Sequence, residues 1–174
     1  SPRALAVGDL DGDGLEDLVV ANALLRRVTL LRGETNDTYT AAGFKDCDAT
    51  GNVNALHLLD LDGDGRPEIV TGSAGQPDCI VIPNSRAADP LSPAQFGAPV
   101  HFALPAPFRN LGFDTCRDGS QAGGFIVIGH TGPAQGSLAG GQSFSALRLT
   151  QPGAGVAIPL GDLEPGATTG VSLD

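Results

Sequence analysis

The sequence predicts an all-β protein assembled from repeated four-stranded units. Short apolar segments alternate with turns rich in glycine and proline, 25 and 13 of the 174 residues, while only 17 % are charged. That is the profile of many short strands joined by tight turns. One acidic segment also recurs 51 residues further along the chain, and helical periodicity is weak throughout. About four short strands per fifty residues is the content of one propeller blade. The expected fold is therefore a β-propeller-like array of about three to three and a half four-stranded blades.

The repeat is read by laying the chain on itself. Gly8-Asp9-Leu10-Asp11-Gly12-Asp13-Gly14 aligns with Leu59-Asp60-Leu61-Asp62-Gly63-Asp64-Gly65. An alternating segment precedes each copy, Leu5 to Val7 or Leu56 to Leu59, and an apolar run follows, Leu18 to Ala21 or Ile69 to Gly72. The unit is strand, acidic turn, strand. Further strands are expected at Val28 to Leu31, Cys79 to Ile82 and Phe144 to Leu149. The run Ala21 to Leu31 holds an apolar patch, but Val28, Thr29 and the lack of a cap favour strand over helix. A third copy runs from Asn110 through Asp114, Cys116 and Gly119 to the strand Phe125 to Gly129, and Gly161-Asp162-Leu163 echoes the start of a fourth. One repeat domain results, with units 1–50, 51–104 and 105–156 and a partial unit 157–174.

The formal charge of -10 is local in origin. Nine of the twenty acids, Asp9, Asp11, Asp13, Glu16, Asp17, Asp60, Asp62, Asp64 and Glu68, sit in two short segments, and the other eleven nearly balance the ten bases. Clustered carboxylates call for cations. They repel phosphates, and no basic stripe or aromatic platform is present, so nucleic acid is not an expected partner. No run of eighteen apolar residues marks a membrane span, and the first residues lack the regions of a signal peptide. The chain is expected to be soluble, with any export signal already removed. Cys47, Cys79 and Cys116 fit neither a zinc spacing nor a Cys-x-x-Cys pair. Cys47 and Cys79 flank the second acidic loop on neighbouring predicted strands, which leaves a disulfide and separate thiols both open.

Two calcium sites are expected in the acidic loops. Calcium takes six to eight oxygens at about 2.3 to 2.6 Å from a loop that folds round it. In the first loop Asp9, Asp11 and Asp13 stand at positions 1, 3 and 5, Leu15 at position 7 offers its carbonyl, and Asp17 closes the site. The second supplies Asp60, Asp62, Asp64, the carbonyl of Arg66, and Glu68. Gly12, Gly14, Gly63 and Gly65 provide backbone angles that a Cβ makes costly. Converged carboxylates without a cation repel one another, so the ion should hold the turn closed. Magnesium, which prefers a tight octahedron and keeps its waters, fits less well. An EF-hand loop needs an acid at position 12, where this chain has Val20 and Thr71, and flanking helices.

These segments, Gly8 to Ala21 and Leu59 to Gly72, resemble the FG-GAP or VCBS repeats of integrin α-subunit propellers and of many bacterial surface and secreted proteins. The match is partial over Phe113 to Gly129, where Cys116 stands at position 3 and Ala122 at position 9 in place of acids. The resemblance implies four-stranded blades with calcium in the turn between a blade's first two strands. In the family these loops are structural and not catalytic. It carries over the ligands Asp9, Asp11, Asp13, Leu15 and Asp17, then Asp60, Asp62, Asp64, Arg66 and Glu68.

The remaining residues bring no reaction chemistry into view. His57, His101 and His130 are scattered, Gly136 to Gly140 lacks the spacing of a nucleophile elbow, and no lysine follows the glycines as phosphate binding would need. Gly129 to Gly141 reads as a long loop, and Asn36-Asp37-Thr38 is a glycosylation sequon in a predicted loop. The expected function is a calcium-stabilised, non-catalytic structural, adhesive or self-assembling module outside the cell. The alternative is the scaffold part of a secreted enzyme or carbohydrate-binding protein. Three and a half units fall short of a usual propeller, so the expectation is either a fragment of a larger propeller or a small open array whose exposed strand edges pair with a protein partner or a second copy, as a closed dimer or a filament. Sites of this sort bind at about 10⁻⁴ to 10⁻³ M, which places the protein in an extracellular or cell-surface setting.

Overall fold

Acidic turns alternating with apolar runs force the chain back on itself, and the result is a succession of antiparallel meanders. In the computed structural model the described residues are 1–61, 64–73, 76, 78–84, 90–103, 113–117, 124–131, 142–149 and 155–162, with side chains described as far as Phe102. Pro2–Gly8 (β1), Asp17–Asn22 (β2), Arg27–Gly33 (β3) and Tyr39–Asp46 (β4) form one sheet in chain order. Val53–Leu59 (β5), Glu68–Ser73 (β6), Asp78–Ile82 (β7) and Val100–Ala103 (β8) form a second. Phe113–Arg117 (β9), Gly124–Thr131 (β10), Gln142–Leu149 (β11) and Gly155–Asp162 (β12) form a third. Short 3-10 turns at Ala23–Leu25 and Pro93–Gln95 are the helical pieces among the described residues. Among the described residues the structure is all-β, as the sequence predicts.

The repeat extends from sequence to hydrogen-bond register. Leu5 pairs with Val20, Val7 with Leu18 and Leu18 with Leu31 in the first sheet. Adding 51 to each number gives Leu56 with Thr71, Leu58 with Ile69 and Ile69 with Ile82, all of which are pairs in the second. Even the irregularity near the start of each first strand recurs, between Pro2 and Ala4 and between Val53 and Ala55. Register is strongly specified where one face is buried, because a slip of one residue would turn that face outward.

The core lies between the first two sheets. β2 alternates buried and half-buried residues along its length. Its inner residues Val19 and Ala21, with Val28 and Leu30 of β3, share one apolar cluster with Leu56, Ile69, Ile80 and Ile82 of the second sheet. Ala4 and Ala6 of β1 pack against the same cluster. Small side chains on the first sheet thus meet large ones on the second, which lets β1 lie close beside β5. The opposite face of the second sheet, with Val70, Cys79, Val81 and Phe102, is also buried. β5 approaches β9 and β8 approaches β12.

Two sequence expectations meet a different arrangement. Asp114, aligned with Asp9 and Asp60, lies within β9 opposite Val127, whereas Asp9 and Asp60 lie just past the ends of β1 and β5. Gly161 and Asp162 end β12, the last strand of the third sheet. Ala122 and the glycine-rich loop after Thr131 lie outside the described residues, apart from the strand ends Gly129 to Thr131. Cys47 and Cys79 are both buried and neither forms a disulfide; the Cys47 thiol lies 4.0 Å from the Lys45 carbonyl, and burial pushes its pKa up to about 12.

Leu30 is fully buried while Leu24 is 70 % exposed in the Ala23–Leu25 turn. Leu30→Ala is therefore expected to lower stability by about 2–5 kcal/mol. Leu24→Ala should change it by less than about 0.5 kcal/mol. Urea unfolding followed by circular dichroism measures both.

Candidate metal centre

The first acidic turn leaves β1 at Gly8 and enters β2 at Asp17, two residues that face each other across the hairpin. Its backbone is organised by its own aspartates. Asp9 accepts hydrogen bonds from the N–H groups of Gly12 (2.7 Å) and Gly14 (2.9 Å), Asp11 from that of Asp13 (3.2 Å), and Asp13 from that of Leu15 (2.8 Å). Such local bonds are what short acidic side chains offer a turning backbone. Gly12 and Gly14 sit at φ +85° and +84°, in the left-handed region where a Cβ would add strain.

Asp17 locks this turn to the sheet. Its carboxylate is buried and accepts from the Leu10 N–H and the Gly33 N–H, each at 2.9 Å. Gly33 ends β3 so close to the turn that a Cβ there would stand 2.2 Å from the Glu16 carbonyl oxygen. One residue thus closes the loop and fixes its place on the neighbouring strand.

The arrangement brings Asp9, Asp11 and Asp17 together, with one carboxylate oxygen from each lying within 4.8 Å of the others. The Asp11 side chain is wholly buried, and its Oδ2 has no hydrogen-bond donor. The Arg32 Nε, 3.4 Å away, supplies charge without a hydrogen bond. A buried carboxylate oxygen that is ion-paired but accepts no hydrogen bond is only partly compensated. Asp13, expected as a fourth ligand, stands outside the group, its Oδ2 accepting from the Arg32 Nη2 at 2.8 Å. Arg32 is a feature that the acidic pattern did not announce. It lies on β3, nineteen residues beyond Asp13 in sequence and beside it in space. The donor set of hard, converging carboxylates fits a calcium ion, with Asp9, Asp11 and Asp17 as its core.

The second turn repeats the local bonds. Asp60 accepts from the Gly65 N–H (3.1 Å), Asp64 from the Arg66 N–H (2.9 Å), and the buried Glu68 from the Leu61 N–H (2.7 Å). Each matches its counterpart 51 residues earlier. Gly65 has φ +86°, and the Arg66 guanidinium pairs with Asp64 as Arg32 does with Asp13. Asp62 and Gly63 lie outside the described residues.

Two buried amides join the first turn to the second sheet, and sequence reading passed over both. The Leu10 carbonyl accepts from the Asn84 Nδ2 (2.8 Å) and from the Gln95 Nε2 (2.9 Å), which also donates to the Asn84 Oδ1 (3.0 Å). Asn84 reaches the Pro67 carbonyl as well, at 3.3 Å. Its position is that of Gly33 shifted by 51, so the repeat register could have marked it. Of the histidines, His57 is half-buried on β5, His101 stands 3.9 Å from Asp48, and the side chain of His130 lies outside the described residues.

Two expectations follow. Asn84→Ala strips a buried carbonyl of a donor and should cost about 1–3 kcal/mol in urea unfolding. Burial also raises the pKa of both Asp11 and Asp17 above the ordinary 3.8. The folded chain then keeps protons that the unfolded chain has released. In chelator this contribution vanishes below the unfolded value and lowers stability as pH climbs through it toward the folded values. A bound divalent cation favours the ionised forms and reverses the slope. Urea titrations between about pH 4 and pH 7, with calcium and with chelator, should give opposite trends.

Comparison with known proteins agrees with this geometry. Residues 9–71 match a family model described as an FG-GAP-like repeat, a span that takes in both acidic turns and the inter-sheet core strands β2, β3 and β5. No curated protein and no solved structure gives a significant match. Over residues 9–71 this chain is therefore similar to an FG-GAP-like repeat.

Proposed function

We propose that the chain is a calcium-stabilised, propeller-like β module that acts outside the cell in structure, adhesion or assembly and carries out no reaction. The observation that carries this reading is the meeting of Asp9, Asp11 and Asp17 around a buried Asp11 oxygen that has no hydrogen-bond donor. Calcium would neutralise the acidic charge that Arg32 offsets only in part, and would hold the ends of β1 and β2 together. Asp9, Asp11 and Asp17 would hold it in the first turn; Asp60, Asp62 and Glu68, their counterparts 51 residues on, would do so in the second.

Three further observations support the reading. The successive four-stranded meanders, with β1 beside β5 and β5 near β9, are the arrangement expected of consecutive blades. The acids are committed to turn closure through backbone N–H groups, which suits a structural ion better than a reacting one. Sites of this class fill at the millimolar calcium found outside cells. Among the described residues no helix is long and apolar enough to cross a membrane.

Thermal unfolding tests the proposal. Free calcium at about a hundred times the dissociation constant should add roughly 2.7 kcal/mol per site, read as a clear rise in the midpoint over chelator. Asp11→Asn should remove about half of that rise, and adding Glu68→Gln should remove the rest. A midpoint unmoved by calcium would leave the acidic segments as turns alone.

A further inference from the structure

One buried side chain touches both acidic turns. Asn84 has no exposed surface, and its Nδ2 donates to two carbonyls, that of Leu10 at 2.8 Å and that of Pro67 at 3.3 Å. Leu10 stands between Asp9 and Asp11 in the first turn, and Pro67 immediately precedes Glu68 in the second. An amide nitrogen carries two hydrogens, one for each turn. The Asn84 Oδ1 accepts from the Gln95 Nε2 at 3.0 Å, and the Gln95 Oε1 accepts from the Ser92 N–H at 3.1 Å. The capped Pro93–Gln95 turn therefore holds the amide from behind, in one orientation.

Each contacted carbonyl sits beside the groups that close its turn. Leu10 gives its N–H to the Asp17 carboxylate at 2.9 Å, while its carbonyl, in the peptide that leads into Asp11, takes Asn84. The Pro67 carbonyl belongs to the peptide that leads into Glu68, whose carboxylate accepts from the Leu61 N–H at 2.7 Å. A shift of either carbonyl breaks a bond to a buried amide or carries Asn84 with it, and with Asn84 the other carbonyl. Leaving a buried amide unpartnered is the costlier course.

We infer that Asn84 is a positioning residue for both proposed calcium sites and couples them, so that filling one turn tightens binding at the other. The inference rests on the calcium reading proposed above. Closing one turn on an ion fixes its carbonyl, and Asn84 then restrains the other carbonyl before that turn is filled. The second binding event meets a smaller ordering cost than the first, which gives the coupling a positive sign. Linkage makes the effect mutual: each turn strengthens the other by the same factor.

Calorimetric titration with calcium tests this through a ratio. Glu68→Gln leaves the first site alone and Asp11→Asn leaves the second, so each variant gives one single-site association constant. The overall two-ion association constant of the parent chain should exceed the product of those two by at least about fivefold. With Asn84→Ala added throughout, the ratio should fall to about one, whereas a residue serving stability alone would lower the unfolding midpoint and leave the ratio as it was. Gln95→Leu, which releases the Asn84 Oδ1, should lower the ratio too and serves if Asn84→Ala does not fold. An excess that survives Asn84→Ala, or Gln95→Leu in its place, overturns the inference. Calcium uptake by both single-site variants with a parent ratio near one or below it overturns the coupling alone and leaves the calcium reading standing. No uptake by the folded parent chain removes the calcium reading, and the coupling with it.

Discussion

Several carboxylates held within one short turn repel one another, and the rest of the first sheet is arranged around the relief of that repulsion. Gly12 and Gly14 let the backbone curl far enough for Asp9 and Asp11 to approach Asp17. Asp17 then binds the turn to Leu10 and to the end of β3 at Gly33. Arg32 gives a fixed positive charge beside Asp11 and Asp13. A guanidinium at the edge of the cluster offsets part of its charge, but the buried Asp11 oxygen still lacks a hydrogen-bond donor. That remainder is what a hard divalent cation is suited to satisfy.

The turn also reaches beyond its own sheet. The Leu10 carbonyl is buried and takes both of its donors, Asn84 and Gln95, from the far side of the inter-sheet core. Asn84 holds the Pro67 carbonyl beside the second acidic turn at the same time. A buried amide pair satisfied in this way fixes relative position more sharply than apolar packing does, since any displacement leaves polar atoms without partners. Apolar contact between Val19, Leu30, Ile69 and Ile82 supplies the bulk of the cohesion, and the amides set the alignment.

Much of this was legible in the chain because two signals coincide. Acid and glycine mark each turn while apolar runs mark the strands beside it, so β1, β2, β3, β5, β6 and β7 could be placed. β4 was missed because its exposed residues carry no clean alternation and Gly43 interrupts the register; β8 has only four residues. The acids of the first turn were found by spacing, but spacing could not reveal that Asp13 turns to Arg32, because that choice depends on a strand brought alongside by folding. Asn84 and Gln95 were invisible for the same reason: their partner Leu10 lies 74 and 85 residues away. The aspartate of the third copy misled because one acid resembles a turn signal until its strand pairing is known.

Calcium binding itself is the central claim, and counting bound ions tests it most directly. Isothermal titration of the chelator-stripped chain with calcium should show two equivalents taken up per chain. It should show one in the Asp11→Asn variant, with the second turn intact. No measurable uptake at millimolar calcium, by a chain that circular dichroism shows to be folded, would contradict the account and leave the two acidic segments as hydrogen-bonded turns.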